Sequence, residues 1–438
     1  MGKIVSKFGG SSLSDAKQYQ KVRDIIEKDP RRVIIVPSAP GRRFDTDDKI
    51  TDLLYQTYRL YQEGKDFRPV YAKVENRFDD ITRELGLSLD IHSYLDVIIR
   101  DLENGANEDY CASRGEYLNG IILADYLGFL FVDPKDSIFF HADGVFDSER
   151  TQAALGESLK KAPAAIVPGF YGSKPNGCIH TFSRGGSDIS GAIVARAASA
   201  DLYENWTDVS GLMMADPRVV ENVKPIAHIT YPELRELSYM GATVMHEESV
   251  FPVHRAGIPT NIRNTNDPDL RGTMITLEGT DSNNPYVITG IAGKKGFSVV
   301  SIEKAMMNSE KGFGRRVLQA VEEAGLSFEH LPTGIDTICV VLSTEELEPV
   351  RERLIARIME ATSPDTVTVH DQMSLIATVG RGMVHNPGTA ARLFTALSRE
   401  KVNVRMIDQG SSELSILVGV DHKDFEPSIR AIYEEFVQ

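Results

Sequence analysis

The chain has 438 residues, 42% apolar and 25% charged, with a formal net charge of −15 at pH 7, enough ordinary folded material for two or three domains. The acidic balance argues against a nucleic-acid partner, which needs a basic footprint, and any anionic ligand must meet locally gathered cations. No secretory leader or long apolar run is visible, and Cys111, Cys178 and Cys339 lie far apart without CxxC spacing, so we expect a cytoplasmic protein with no membrane span and buried structural thiols.

The first predicted element is a short apolar strand, 4–8, containing Lys7 near its end. It runs into Gly9-Gly10-Ser11-Ser12 and then a helix over 15–29. Glycines there let the backbone turn tightly and aim several N–H groups at one spot, and the helix adds the positive end of its dipole. Lys7 adds a full charge where ligands bind in open α/β sheets. This is an anion cradle with its own lysine, although a plain turn with a solvated lysine would use the same residues. Neither GxxxxGK[ST] nor GxGxxG fits, so any nucleotide fold must be of another kind.

Further strands are expected at 32–36, 129–133, 164–168, 202–206, 258–263 and 274–277. Most are short Val, Ile and Phe runs suited to strands buried on both faces of a mostly parallel sheet. Residues 189–200 and 231–240 show helical spacing, and 55–127 reads as a helical subdomain over one sheet edge. The first domain is therefore doubly wound α/β. Within it, Ser113-Arg114-Gly115-Glu116 precedes a helix predicted at 117–126, where an acid suits the dipole whatever else it does.

Thr181-Phe182-Ser183-Arg184-Gly185-Gly186-Ser187-Asp188 repeats the opening logic of glycines, hydroxyls and a helix start. It adds an arginine able to grip a carboxylate or phosphate bidentately. Asp188 could cap the helix or hold a metal. The stretch from Trp206 through Thr207, Asp208 and Met213 to Arg218 starts at a strand end and is dense in turn formers. It reads as a nucleotide-side loop or as a plain surface loop. Residues 278–285 are the clearest linker. Beyond it, 317–331 matches 393–407 in its apolar positions, each copy preceded by a glycine turn and followed by further strands, which indicates paired small α+β modules.

These motifs, in this order, resemble the aspartate kinases of the amino-acid-kinase superfamily. KFGGSS is similar to the family's opening signature, which usually has threonine at Ser11. SRGEY, TFSRGGSD, TDVSGLMMADPR, the run Gly241-Ala242-Thr243-Val244-Met245-His246 and Gly272-Thr273-Met274-Ile275 fall where later signatures fall. The resemblance covers the whole chain. It implies an αβα catalytic domain over 1–283, with a helical subdomain at about 55–127. A regulatory region over 284–438 would hold two ferredoxin-like ACT modules, about 286–365 and 366–438, in series or interleaved.

The implied reaction moves the γ-phosphoryl of ATP to the side-chain carboxylate of L-aspartate, giving 4-phospho-L-aspartate and ADP, the first step toward lysine, threonine and methionine. By resemblance, Lys7 with the Gly9 and Gly10 amides stabilises the transferring group. Arg184, with Gly185, Gly186 and Ser187, holds the α-carboxylate of aspartate, and Glu116 pairs with its ammonium. Ser38 and Thr51 contact phosphate or substrate, and Asp188 helps organise Mg²⁺. Ser11, Thr207, Asp208, Met213, Arg218, Thr243 and Val244 belong to the ATP side. Met213 stands where relatives often carry an aromatic residue, Thr243 where a lysine is frequent, and Pro37 interrupts a common Val-Ser-Ala stretch.

In the C-terminal half, Met306, Ser309, Gly312, Phe313, Gly314 and Ser327 resemble the effector pocket of lysine-inhibited members. Glu329 and Asp336 would suit the charged end of lysine, which is expected ahead of threonine, or would be simply solvated. ACT pairing implies a homodimer or a dimer of dimers. With the second repeat closing the sequence, no fused homoserine dehydrogenase is expected. Two rivals remain: a relative acting on glutamate or a nucleoside monophosphate, and a non-catalytic amino-acid sensor. Glu116 with Arg184 favours an α-amino acid over the first, and Lys7, Arg184 and Asp188 speak against the second.

Overall fold

The computed structural model describes residues 2–161, 163–183, 186–242, 250–277 and 285–437; of the linker expected at 278–285, all but Pro285 lies outside them. The chain forms two compact units. One comprises Met1–Leu212, Pro225–Tyr231 and Thr243–Thr280; the other comprises Met213–Lys224, Pro232–Ala242 and Asp281–Gln438.

The strands of the first unit are β1 (Ile4–Phe8), β2 (Arg32–Pro37), β3 (Leu130–Phe131), β4 (Ala165–Ile166), β5 (Tyr171–Ser173), β6 (Ile179–Thr181), β7 (Leu202–Thr207), β8 (His228–Thr230), β9 (Thr260–Asn264) and β10 (Thr273–Thr276). Eight of them form one sheet in the order β3-β4-β2-β1-β7-β9-β10-β8, while β5 and β6 form a separate hairpin. Every pairing in the large sheet is parallel except β9 with β10. The seven strands expected from sequence are all present. The additional β8, β5 and β6 each span only three residues, too few to show a period.

The centre of the sheet is two-faced. Lys7 lies opposite Asn205 and Phe8 opposite Trp206 in the β1–β7 register. Alternation then sends Lys7 and Asn205 to one face and Ser6, Phe8, Glu204 and Trp206 to the other. On that second face Glu204 accepts from Ser6 Oγ at 2.9 Å, Trp206 Nε1 at 2.9 Å and the Arg32 fork at 2.8 and 3.0 Å. Arg263 approaches it at 3.5 Å, with its guanidinium 4.5 Å from the centre of the Trp206 ring.

The helical subdomain is built from Ile50–Gln62, Arg68–Leu85, Ile91–Glu103 and Glu108–Leu127, whose inner faces share a core including Leu54, Phe78, Leu95 and Leu118. The last helix corrects one expectation. It starts at Glu108, capped by the Asn107 side chain, so Glu116 lies in its middle and gains nothing from the first-turn dipole. Gly115 permits this: a Cβ there would stand 2.8 Å from Ala39 Cβ, so the helix packs directly on the loop after β2. The thiols also divide. Cys111 is buried as expected and its thiol is pushed up to about 12 by burial, whereas Cys178 is exposed and Cys339 half-buried.

The second unit carries β11 (Gly290–Glu303), β12 (Phe328–His330), β13 (Thr337–Ser343), β14 (Thr366–Val379), β15 (Val404–Asp408) and β16 (Ser415–Asp421) in the order β12-β13-β11-β14-β16-β15. All its pairings are antiparallel, and β11 against β14 joins the two repeats side by side. The helices Phe313–Glu323 and Thr389–Arg399 start at the expected glycine turns, with Gly312 at φ 78° and Gly388 at φ 88°. Each repeat closes with a second helix, Arg351–Thr362 or Phe425–Val437, that the sequence reading did not separate.

This unit also takes in two segments from well before the linker. Ile291 N–H donates to Met214 O at 2.7 Å and Lys224 N–H to Tyr433 Oη at 2.8 Å. Glu233, 1% exposed, accepts from Thr289 Oγ1 at 2.6 Å and from the Arg381 amide at 3.0 Å. Among the described residues no helix is long and apolar enough to cross a membrane.

Candidate functional site

The carboxyl ends of β1 and β2 come together through backbone contacts that only glycine permits. Gly41 N–H donates to Gly10 O at 2.8 Å; a Cβ on Gly10 would lie 2.8 Å from Ala39 O, and one on Gly41 2.6 Å from Gly10 C. Gly41 was not singled out in the sequence, although Pro40-Gly41 is an ordinary turn signal. Ser38 N–H donates to Phe8 O at 3.1 Å, and its carbonyl accepts from Asn119 Nδ2 at 2.5 Å, which ties the loop after β2 to the Glu116 helix. Gly9 N–H donates to Trp206 O at 2.9 Å. Of the two glycine amides expected at an anion, that one is already bonded within the fold.

Lys7, only 6% exposed, places Nζ 2.5 Å from Asp188 Oδ1. The same oxygen accepts from Asn205 Nδ2 at 3.0 Å, and the Asp188 carbonyl accepts from Tyr203 Oη at 3.2 Å. Asp188 lies in the first turn of the helix Gly186–Ala197, so these bonds pin that helix start to the sheet centre. Charge-assisted bonds of this kind hold Lys7 at a defined point.

Lys7 and Asp188 line an open cleft of about 1280 Å³ within the first unit. Ser38, Thr51, Glu116, Gly186 and Ser187, all expected from sequence, line it with them. Glu116 is 4% exposed, and among the described residues its Oε2 has no hydrogen-bond partner. Burial pushes its carboxyl up to about 7, against the opposing pull of the Ala39 and Glu116 backbone, the Ser187 side chain and the Arg114 charge. An unpaired buried carboxylate oxygen is costly unless something cationic meets it.

The cleft also contains residues that sequence reasoning missed: Lys49, Asp52, Tyr55, Asp109, His180 and an aromatic wall of Phe140, Phe146, Phe170 and Phe182. Apart from Phe182, which stands in the TFSRGGSD stretch, none belongs to a glycine motif. The only signal for Asp109 and His180 was their closeness in sequence to the SRGE and SRGG stretches.

The remaining expected residues are placed less closely. Ser11 lies in the turn Gly10–Leu13, and Thr207 ends β7 with Asp208 directly after it, the Thr207 hydroxyl donating to Asp208 Oδ1 at 3.3 Å. Met213 and Arg218 belong to the second unit, where the Arg218 fork grips Asp216 at 2.7 Å. Arg184, Gly185, Thr243 and Val244 lie outside the described residues.

In the second unit Met306, at φ 60°, donates its N–H to Asp336 Oδ1 at 2.8 Å and leads through the turn Met307–Ser309 to Gly312, buried Phe313 and Gly314. Glu329, on β12 just after Ser327, accepts from the Tyr239 hydroxyl. Both acids considered for an effector therefore already have a donor.

Among the described residues no group of three metal-ligating side chains gathers. Mg²⁺ with a nucleotide needs no such cage, because one or two carboxylates and the phosphates suffice. Asp188 fits that requirement: its Oδ1 is occupied by Lys7 and Asn205, and its Oδ2 has no bond among the described residues.

The profile of the "Amino acid kinase family" matches residues 2–264, and that of an "ACT domain" matches 376–436. The chain is 40% identical to Aspartokinase 3 of Bacillus subtilis (strain 168) over 451 aligned residues, covering 99% of this chain and 98% of the relative. Among solved structures it is similar to the aspartate kinase of Clostridium acetobutylicum, with a TM-score of 0.91, 49% identity and 100% of both chains covered. It is also similar to Escherichia coli aspartokinase III in complex with aspartate and ADP, with a TM-score of 0.74, 24% identity and 99% of both covered; that likeness concerns the fold.

Proposed function

We propose that this chain, which belongs to the amino acid kinase family and is an aspartate kinase, uses the Lys7–Glu116–Asp188 cleft to move the γ-phosphoryl of ATP onto the side-chain carboxylate of L-aspartate. The observation that carries this reading is the pairing of opposite requirements in one cleft. A buried ammonium, Lys7, is held at one point, and a buried acid with an unpaired oxygen, Glu116, at another. An α-amino acid supplies the cation that Glu116 lacks, and its second carboxylate can approach the point at which Asp188 holds Lys7.

Phosphoryl transfer rests mainly on positioning and charge neutralisation. The ammonium of aspartate meets Glu116 and draws it into the ionised form that burial opposes. The hydroxyls of Ser38, Thr51 and Ser187 orient the substrate. Arg184 and Gly185 take the α-carboxylate, by resemblance to the family. Lys7 stands where negative charge shifts between ATP and the acceptor carboxylate, a preorganised cation that need not reorganise during transfer. Asp188 holds Lys7 in place and offers its second oxygen to Mg²⁺, which when bound neutralises nucleotide phosphate charge. By resemblance to the family, Ser11, Thr207 and Asp208 serve the nucleotide side within the first unit.

Escherichia coli aspartokinase III binds aspartate with ADP in one structure and lysine with aspartate in another, an R-state and a T-state. For this chain we read the paired modules as the receptor for an end-product amino acid, lysine before threonine. It would be bound at the turn from Met306 to Gly314, in a cytoplasmic homodimer or dimer of dimers serving the first step toward lysine, threonine and methionine. An effector would act by binding an inactive arrangement more tightly than an active one.

The test is ADP release with ATP, Mg²⁺ and L-aspartate, repeated with glutamate in place of aspartate and then with lysine or threonine added. Turnover with aspartate that lysine lowers is the expected result. No turnover with aspartate would overturn the reaction, and insensitivity to both amino acids would overturn the regulatory reading.

A further inference from the structure

The hairpin β5–β6 precedes in sequence the helix start that carries Ser187 and Asp188 to the cleft, and the N-terminal half of the Glu116 helix holds that hairpin. Asn107 Nδ2, at the helix cap, donates to Ile179 O at 3.0 Å. Asp109, two residues later, uses both carboxylate oxygens: Oδ2 accepts from His180 Nδ1 at 2.7 Å and Oδ1 from Thr181 Oγ1 at 2.7 Å. Further along, the Arg114 guanidinium packs 5.2 Å from the centre of the Tyr171 ring, and Tyr171 is the β5 residue paired with Thr181.

The residue after Thr181 is held as well. Phe182 N–H donates to Phe170 O at 2.8 Å, and Phe170 N–H donates to Ser190 Oγ at 2.8 Å. Phe170 has φ 81°, a strained value for a bulky residue, and its ring occupies the space of a Cβ on Gly186, 2.7 Å away.

We propose that Asp109 is a positioning residue: by accepting from His180 and Thr181 together, it clasps β6 to the helix that carries Glu116 and so sets the span between Glu116 and Ser187. This rests on the reading above, in which that span receives aspartate. Asp109 lines the same cleft as Glu116, but its two oxygens are both occupied, whereas Glu116 keeps one unpaired. One acid therefore shapes the site while the other meets the ligand. Losing the clasp loosens the amino-acid side and leaves the Lys7–Asp188 pair, anchored through Asn205 and Tyr203 on the sheet, in place.

Asp109→Asn keeps the shape but replaces one acceptor oxygen with an amide donor, and His180→Gln removes the ring. In each variant KM for aspartate should rise about tenfold, the scale of one charge-assisted hydrogen bond, with KM for ATP and kcat at saturating aspartate within about twofold of wild type. The double variant should be no worse than the worse single, because both break one clasp. Hydrogen–deuterium exchange, which needs no turnover, should show faster exchange at 179–182 in both variants. Unchanged exchange, or equal changes in kcat and both KM values, or additive losses in the double variant would overturn the proposal. If the wild type itself shows no aspartate-dependent ADP release, the reaction fails instead, and the exchange data still decide the clasp.

Discussion

Glu116 gives the most decisive prediction because its environment acts on stability and on binding in opposite senses. Its carboxyl is held at about 7 in the fold against an ordinary 4.5, chiefly by burial. The folded protein thus keeps a proton over that interval that the unfolded chain releases, so stability from this group is full below pH 4.5 and is lost as pH rises through about 7. The shift corresponds to about 3 kcal/mol, from roughly 1.4 kcal/mol per pH unit.

Glu116→Gln preserves shape and cannot ionise. It should match wild type at pH 4.5 in urea unfolding of the ligand-free protein, and exceed it by up to about 3 kcal/mol at pH 8. Aspartate binding should show the reverse. Its ammonium favours the ionised acid, so calorimetry at pH 7 in buffers of different ionisation enthalpy should report release of about half a proton per site. Affinity should rise with pH up to about 7 and level off above it, while the Gln variant binds weakly and without pH dependence. Parallel stability curves for the two proteins, or binding with no proton release, would refute the assignment.

Three further outcomes follow from the same geometry. Lys7→Met should lower kcat by about 10²–10³-fold, the usual effect of removing a preorganised charge, and near-normal kcat would place Lys7 away from the reacting phosphoryl. Gly41→Ala should destabilise the first unit by about 1–3 kcal/mol in chemical denaturation, since its Cβ meets Gly10 backbone that cannot step aside; an unchanged midpoint would contradict the contact. Glu204→Gln, which leaves Arg32 and Arg263 facing a neutral partner in the core, should cost about 3–5 kcal/mol, measured by the same method. Wild-type Glu204 has its carboxyl held below the usual range by Arg32, Trp206 and Ser6 despite burial, so its contribution should persist above pH 4.5 and fade as pH falls below it.

What could be read in advance depended on how locally each feature is encoded. Buried strands such as β2 announce themselves by apolar runs, and Lys7 by being a charge near the end of β1. Glu116 was found for an incomplete reason: its motif looks like a helix start, but the helix begins at Glu108 under the Asn107 cap and runs on through Gly115, which packs against Ala39, far away in sequence. Asp109 and His180 meet only after β5 and β6 fold back, and three-residue strands carry no period to reveal that fold-back. Met213–Lys224 and Pro232–Ala242 likewise carry no composition shift. Their place in the second unit depends on partners such as Thr289, Arg381 and Tyr433, set by tertiary packing alone.

The charged cluster around Glu204 also decides which alignment of β1 on β7 can exist. Sliding β1 by one residue would turn Ser6 toward the cleft and send Lys7 to the opposite face. There its ammonium would meet the Arg32 and Arg263 guanidiniums away from water, while Glu204 and Trp206 lost the Ser6 side of their network. Like charges crowded in low dielectric make that slip far more costly than a missed hydrogen bond. The arginines behind the sheet thus repel Lys7 from the wrong side, and the two central strands settle in the single offset that delivers a lysine to the cleft.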